Sequence, residues 1–211
     1  MFVVIRRLAT SFIFLSVLVA QAASGAPVNQ KTLLVYGDSL SAAYGLEIQQ
    51  GWVSLLQEKL HQTKSGWKVV NLSISGETTA GGLSRLPAAL EEHRPELMLL
   101  ELGANDGLRG TPLKSMSSNL EQIIQQAQKK NVDVLLFEMM IPPNYGPAYT
   151  RKFTQVFHDL GEQYTVPVVP FFLDGVAGHP ELNQPDGIHP VAKAQPMIFD
   201  NVWPHIKTAI D

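Results

Sequence analysis

From about residue 31 to the end of the chain, apolar runs of strand length alternate with longer stretches in which apolar residues recur at helical spacing. This alternation is typical of β–α units wound around a parallel sheet. The predicted strands are residues 32–36, 68–72, 97–102, 134–138 and 166–169. The predicted helices are residues 51–62, 82–93, 113–131, 149–164 and 192–210.

The predicted strands are nearly continuous in apolar residues, for example over residues 97–100 and 134–137. Strands have this character when helices cover both faces of their sheet. The pattern therefore predicts an α/β fold, a three-layer α/β/α sandwich around a five-stranded parallel sheet. The chain has 211 residues and shows no internal repeat and no linker-like segment, so we expect a single folded domain.

The first residues have the pattern of a targeting segment. Arg6 and Arg7 precede an apolar run that ends in small residues, and residues 20–22 (Ala-Gln-Ala) fit a cleavage site. We therefore expect residues 1–22 to be a cleaved signal peptide, and residues 23–211 to form a periplasmic or secreted domain. The alternative is an uncleaved anchor, for which the apolar run is short, since a helix needs about 20 residues to span a bilayer.

Charge and cysteine content narrow the classes of function. The formal net charge is −3, and removal of residues 1–22 takes away Arg6 and Arg7 and no acidic residue, which leaves −5. A nucleic-acid partner requires a basic face, so none is expected, and we expect no stable membrane insertion after signal cleavage. Because the chain has no cysteine, disulfides, thiolate nucleophiles and thiolate metal ligands are excluded.

Four short polar segments stand out between the predicted elements. They are Gly37-Asp38-Ser39-Leu40, Ser75-Gly76-Glu77-Thr78, Gly103-Ala104-Asn105-Asp106 and Asp186-Gly187-Ile188-His189. The first three follow predicted strands, and the fourth precedes the last predicted helix. Because open parallel sheets bind ligands beyond the carboxyl ends of their strands, the fold predicts that these segments share one crevice.

Together the segments contain the residue types of a serine acyl-transfer site. Such a site needs a hydroxyl nucleophile, a base, an anion that orients the base, and donors to the developing oxyanion. Ser39 is the predicted nucleophile, His189 the general base and Asp186 its partner. The backbone N–H of Gly76 and the side-chain amide of Asn105 are the predicted oxyanion donors. Taken singly, each of these residues is also consistent with a helix cap, a turn or a solvated position.

Two further observations limit this interpretation. Of the other histidines, His179 is the alternative candidate for the base, because the remaining ones lie in or beside predicted helices. The Gly-x-Ser-x-Gly motif of α/β-hydrolases is absent, because residue 41 is Ser.

In order and in sequence, these segments resemble the consensus blocks of the SGNH, or GDSL, hydrolases. The likeness extends over nearly the whole mature chain and is carried by residues 33–39, 71–78, 101–110, 142–146 and 186–190. The resemblance implies a flavodoxin-like fold and the hydrolysis of acyl thioesters, aryl esters and lysophospholipids through an acyl-enzyme, with no metal or cofactor. It also implies that the Ser39 N–H belongs to the oxyanion hole and that Ile141, Pro142 and Tyr145 line the acyl crevice.

Two other functions are consistent with parts of the sequence. A carbohydrate O-acetylesterase would use the same motifs with a shorter acyl pocket. A phosphate- or nucleotide-binding module would use the loop at residues 75–82, although this loop matches neither Gly-x-Gly-x-x-Gly nor the P-loop and has no lysine. The main prediction is a monomeric serine hydrolase that acts on small-molecule acyl esters and thioesters.

Overall fold

The computed structural model describes residues 30–63 and 65–211, so the predicted signal peptide lies outside the described residues. The strands are β1 (Lys31–Gly37), β2 (Trp67–Asn71), β3 (Leu97–Glu101), β4 (Asp133–Phe137) and β5 (Val168–Val169). The α-helices are α1 (Trp52–Gln62), α2 (Thr79–His93), α3 (Ala104–Leu108), α4 (Leu113–Lys129), α5 (Pro147–Tyr164) and α6 (Gln195–Ile210). None of the described helices has the length and apolar character that a membrane span requires.

All five strands are parallel, in the order β2-β1-β3-β4-β5. Helix α1 packs against α6, while α4 packs against both α2 and α5, so that the helices form layers on the two sides of the sheet. The predicted α/β/α sandwich with a five-stranded parallel sheet is therefore confirmed.

The elements differ from the predicted ones mainly at their ends. Helix α2 begins three residues earlier than predicted, because the Thr78 hydroxyl caps it by accepting a hydrogen bond from the Gly81 N–H. Strand β5 has only two residues, and the first turn of the last predicted helix is a separate 3₁₀ turn. The five-residue helix α3 was not predicted, because one helical turn is too short to show periodicity.

The core lies along the two central strands. Residues 33–36 of β1 and 97–100 of β3 are almost completely inaccessible to solvent. Near the ends of the strands, the rings of Trp52, Phe137 and Phe172 pack together with centroids 5.4–6.3 Å apart. Burial of large aromatic side chains on this scale makes a rigid support for the loops above it.

The pairing register brings the ends of the first three strands to the same level. Val35 pairs with Asn71, and Gly37 pairs with Glu101. The loops that carry Ser39, Gly76 and Asn105 therefore leave the sheet at one edge, as the sequence predicted.

Candidate active site

The loop after β1 is held in a tight conformation by a buried carboxylate. Glu101 accepts a hydrogen bond at Oε2 from the Asp38 N–H, at 3.1 Å. Residue 37 has to be glycine at this point, because a Cβ there would lie 2.4 Å from the same oxygen. The Leu40 N–H donates to Asp38 Oδ1 at 3.0 Å, and the resulting turn presents the Ser39 hydroxyl to the crevice.

The structure brings Ser39, His189 and Asp186 into one hydrogen-bonded chain. His189 Nε2 lies 2.9 Å from Ser39 Oγ, and His189 Nδ1 lies 2.8 Å from Asp186 Oδ2. An ionised carboxylate can only accept hydrogen bonds, so Nδ1 carries the ring proton. The Nε2 lone pair is then free to accept the Ser39 hydroxyl proton.

Hydrogen bonds from its own turn favour the ionised form of Asp186. Burial opposes ionisation, but the Ile188 and His189 N–H groups, together with the imidazole, lower the pKa of Asp186 to about 2. The carboxylate therefore stays negative over the whole neutral and mildly acidic range, and it continues to orient the imidazole there.

Two residues that the sequence analysis missed connect the histidine loop to the serine loop. The Gln184 side chain donates to the Tyr44 carbonyl at 2.8 Å. The Tyr44 ring packs on the His189 imidazole with centroids 4.4 Å apart. No motif marks such contacts, because they join loops 140 residues apart in the chain. They help to hold His189 at hydrogen-bonding distance from Ser39.

Gly76 and Asn105 line the same cavity as Ser39 and His189. Gly76 has a φ of 78°, which favours glycine, and its carbonyl accepts a hydrogen bond from Arg109 at 2.9 Å. Asn105 lies in the first turn of α3, where its Nδ2 donates to Asp38 Oδ2 at 3.0 Å. The structure thus brings together all five residues to which the sequence analysis assigned chemistry.

The cavity has a volume of about 520 Å³ and an apolar interior. Away from Ser39 it is lined by Leu108, Met139, Met140, Ile141, Pro142, Pro143, Phe171, Leu173 and Ala177. Ile141 and Pro142, which the resemblance implied for the acyl crevice, are among these cavity residues. Tyr145 is not among the cavity residues, and its hydroxyl donates to the carbonyl of Leu108 in the cavity wall at 3.0 Å.

The alternative base, His179, is not among the cavity residues. Its imidazole faces Glu181 at 3.6 Å, and both side chains are more than half exposed. Over residues 30–63 and 65–211, no group of three or more His, Cys, Asp or Glu side chains is placed to hold a metal ion.

Asp38 and Glu101 form a buried pair of carboxyl groups directly behind Ser39. Their exposed fractions are 1% and 0%. Burial raises the pKa of Asp38 to about 6, although hydrogen bonds partly oppose the shift. Burial and the nearby charge of Asp38 raise the pKa of Glu101 well above its usual range. The pair therefore tends to retain a proton that the unfolded chain would release.

This pair predicts how stability changes with pH. The native state holds more protons than the unfolded state above about pH 4, so the free energy of unfolding should fall as pH rises through at least pH 6. We expect Glu101→Gln to weaken this dependence and to raise the free energy of unfolding at pH 7, because the folded protein no longer has to hold a proton on this group. Urea unfolding at pH 4.5, 6 and 7.5 measures the free energy of unfolding of both proteins, with Glu91→Gln as the exposed control. If the free energy of unfolding of Glu101→Gln changed with pH as steeply as that of the wild type, the expectation would be contradicted.

A base that contacts a serine hydroxyl and is oriented by a carboxylate, beside N–H donors, is the arrangement with which serine hydrolases transfer acyl groups. The fold and the site together thus place the chain in this class of enzymes. The model of the GDSL-like lipase/acylhydrolase family matches residues 35–195, and the chain belongs to this family. The predicted family is confirmed, and so is the predicted class of enzyme, a hydrolase of acyl esters and thioesters.

The chain is similar to several characterised proteins over most of its length. It is 50% identical over 177 residues to Esterase TesA of Pseudomonas aeruginosa, which covers 84% of this chain and 88% of that relative. It is 42% identical over 189 residues to the Escherichia coli K12 protein named thioesterase 1/protease 1/lysophospholipase L1, with 90% and 87% covered. The structure of the psychrotrophic esterase EstA from Pseudoalteromonas, inhibited by monoethylphosphonate, superposes with a TM-score of 0.82, at 46% identity and with 85% and 98% covered.

Proposed function

We propose that Ser39 attacks the carbonyl carbon of an acyl ester or thioester and forms an acyl-enzyme. As the bond from Ser39 Oγ to carbon forms, the hydroxyl proton moves to His189 Nε2. The tetrahedral intermediate then collapses, its bond to the leaving oxygen or sulfur breaks, and the leaving group takes the proton from His189. The observation that carries this proposal is the 2.9 Å contact between His189 Nε2 and Ser39 Oγ.

The second half of the reaction reverses these roles, with water as the nucleophile. His189 takes a proton from the water as its oxygen bonds to the acyl carbon. The bond from carbon to Ser39 Oγ then breaks, Oγ regains a proton from His189, and the carboxylic acid leaves. Asp186 stabilises the imidazolium formed in both halves, and no metal or cofactor is needed.

We assign the oxyanion hole to the backbone N–H groups of Ser39 and Gly76 and to the Asn105 amide. Asn105 Nδ2 has two N–H bonds, and its contact with Asp38 at 3.0 Å uses one of them. The second is available to an oxygen in the cavity. Neutral donors held in place before the reaction stabilise the developing negative charge without reorganisation.

Asn105→Ala is expected to lower kcat by about 10²–10³-fold with little change in KM, because the substitution removes a hydrogen bond that the substrate oxygen makes only in the transition state. Steady-state kinetics on a p-nitrophenyl ester measures the effect, and a thermal unfolding curve close to that of the wild type shows that the fold is retained. A variant with wild-type kcat would remove Asn105 from the oxyanion hole.

For substrates, we propose medium- and long-chain acyl esters and thioesters, including aryl esters, acyl-CoA and lysophospholipids. The apolar lining and the volume of about 520 Å³ support this class, because methylene groups gain free energy on leaving water. Among the similar proteins, one is named an esterase and another a thioesterase and lysophospholipase, which are names for enzymes that hydrolyse esters, thioesters and lysophospholipids.

A series of p-nitrophenyl esters tests the acyl pocket. Each buried CH₂ contributes about 0.8 kcal/mol, so kcat/KM should rise about fourfold per added CH₂ until the cavity is filled. Filling the pocket with Ala177→Phe should lower kcat/KM for long esters and leave the acetyl ester much less affected. A clear preference for acetyl esters in the wild type would instead favour the carbohydrate O-acetylesterase.

We further propose that residues 1–22 are removed on export and that the mature chain, 23–211, is a periplasmic or secreted monomer without stable membrane insertion. The apolar run after Arg6 and Arg7 supports export. Sequencing the N-terminus of protein recovered from the periplasm tests cleavage, and size-exclusion chromatography of that protein tests the oligomeric state. Chelators are expected to leave the hydrolase activity unchanged.

A further inference from the structure

Glu101 is a completely buried carboxyl group, and one of its two oxygens accepts no hydrogen bond from the described residues. Its Oε2 accepts hydrogen bonds from the Asp38 N–H at 3.1 Å and from the Ser41 hydroxyl at 2.7 Å. Its Oε1 is inaccessible to solvent and has no hydrogen-bond partner among the described residues. Burying a polar atom without a hydrogen bond costs free energy, so Oε1 is expected to have a partner of another kind.

The Asp38 carboxyl group is the candidate partner. It is buried beside Glu101, since its own backbone N–H donates to Glu101 Oε2. Burial raises the pKa of both carboxyl groups, and a side-chain hydrogen bond between them raises the pKa of Glu101 further and partly opposes the rise for Asp38. Two carboxylates cannot both be ionised at such a distance in a buried site, and a hydrogen bond between them requires that one carries a proton. Asp38 already accepts N–H bonds at both of its oxygens, from Leu40 and Asn105. Glu101 is therefore the better site for the proton.

We propose that Glu101 is a protonated carboxylic acid that donates a hydrogen bond to the Asp38 carboxylate, and that it thereby acts as a positioning residue for Asn105. The inference rests on the proposed role of Asn105 in the oxyanion hole. Burial and the charge of Asp38 raise the pKa of Glu101 well above its usual range, in agreement with a retained proton.

The position of this proton determines which way the Asn105 amide faces. An ionised Asp38 accepts hydrogen bonds and donates none, so only the amide nitrogen of Asn105 can face it. The second N–H of the same nitrogen then points toward the cavity. If Asp38 held the proton instead, its hydroxyl could donate to the Asn105 oxygen. The amide could then turn over, and its carbonyl would repel an oxyanion.

Two isosteric substitutions distinguish these cases. In Glu101→Gln the amide oxygen can still accept hydrogen bonds from the Asp38 backbone N–H and the Ser41 hydroxyl. The NH₂ group can still donate to the Asp38 carboxylate. We therefore expect kcat to stay within about threefold of the wild type. In Asp38→Asn one of the two donors, Leu40 or Asn105, faces an NH₂ group, so kcat should fall by about 10–100-fold with KM within about threefold. The reverse order, with Glu101→Gln more damaging than Asp38→Asn, would overturn the proposal.

A double-mutant cycle tests whether Glu101 acts through Asn105. Glu101→Leu should lower kcat by about tenfold in the wild type and have almost no further effect in Asn105→Ala, because the positioned group is already absent. A purely structural role for Glu101 would instead give losses that multiply in the double mutant. Titration of active sites with an ethylphosphonate probe corrects each rate for the folded fraction. If Glu101→Leu does not fold, the comparison of Glu101→Gln with Asp38→Asn still decides the question.

The outcomes separate this inference from the proposed function. If Asn105→Ala alone leaves kcat unchanged, the proposed oxyanion role fails. If Asn105→Ala is severe while Glu101→Leu acts independently of it, only the positioning role fails. Infrared difference spectroscopy of wild type against Glu101→Gln at pH 8 should show the carbonyl band of a protonated carboxylic acid in the wild type, and a spectrum without that band would rule out the protonated state.

Discussion

Ser39→Ala is expected to lower kcat for p-nitrophenyl esters by about 10⁴–10⁶-fold, because removal of the nucleophile leaves only binding and the oxyanion donors. Among the described residues, the Ser39 hydroxyl hydrogen-bonds one side chain, at His189 Nε2, so its removal should cost little stability. Steady-state kinetics measures the loss, and thermal unfolding verifies the fold. The enzyme acts on acyl esters whichever residue is the nucleophile, so this variant tests the assignment directly.

The control for this prediction is Ser118→Ala, an exposed serine on α4 whose hydroxyl accepts a hydrogen bond from Gln122 of the same helix. It should retain wild-type activity. An ethylphosphonate probe should label the wild type and Ser118→Ala with one group per chain, at Ser39, and should not label Ser39→Ala. Labelling of Ser39→Ala, or activity close to that of the wild type, would move the nucleophile elsewhere.

Asp186→Asn is expected to lower kcat by about 10³–10⁴-fold, because the substitution changes the tautomer of His189. Asp186 Oδ2 accepts the Nδ1 proton at 2.8 Å. If the substituted amide nitrogen takes this position, it faces Nδ1 as a donor, so the ring proton moves to Nε2. The imidazole can then no longer accept the Ser39 proton.

The same substitution should preserve the turn. Asp186 Oδ1 accepts from the Ile188 and His189 N–H groups at 3.0 Å, and the asparagine oxygen can accept both of these bonds. Activity should therefore fall without loss of the folded state, as measured by kcat beside a thermal unfolding curve. Asp159→Asn, on the exposed face of α5, is the matched control. A loss below tenfold would show that the carboxylate does not determine the tautomer.

Much of the fold could be predicted, because the spacing of apolar residues indicates which faces of a strand or helix are buried. The packing of helix layers on the sheet determines those faces. The apolar runs that became β1, β3 and β4 are buried on both faces, as their composition indicated. The short helix α3 and the early start of α2 could not be predicted. The first is a single turn, and the second depends on a cap at Thr78.

The sequence by itself determined the order of the elements and the residue types that meet at the sheet edge. The convergence of Ser39, Gly76 and Asn105 follows from it, because loops after parallel strands must leave at one edge. The sequence also indicated the family, because the four segments occur in a specific order over most of the mature chain.

Only the tertiary structure decided which side chains touch. Tyr145 is not among the cavity residues although its segment contributes Ile141 and Pro142, and its hydroxyl instead donates to the Leu108 carbonyl on α3. The contact of Glu101 with the loop after β1 depends on the register that sets Gly37 beside it. A shift of one residue would turn every side chain of a strand to the other face, and local periodicity does not contain the register between strands so far apart in the chain.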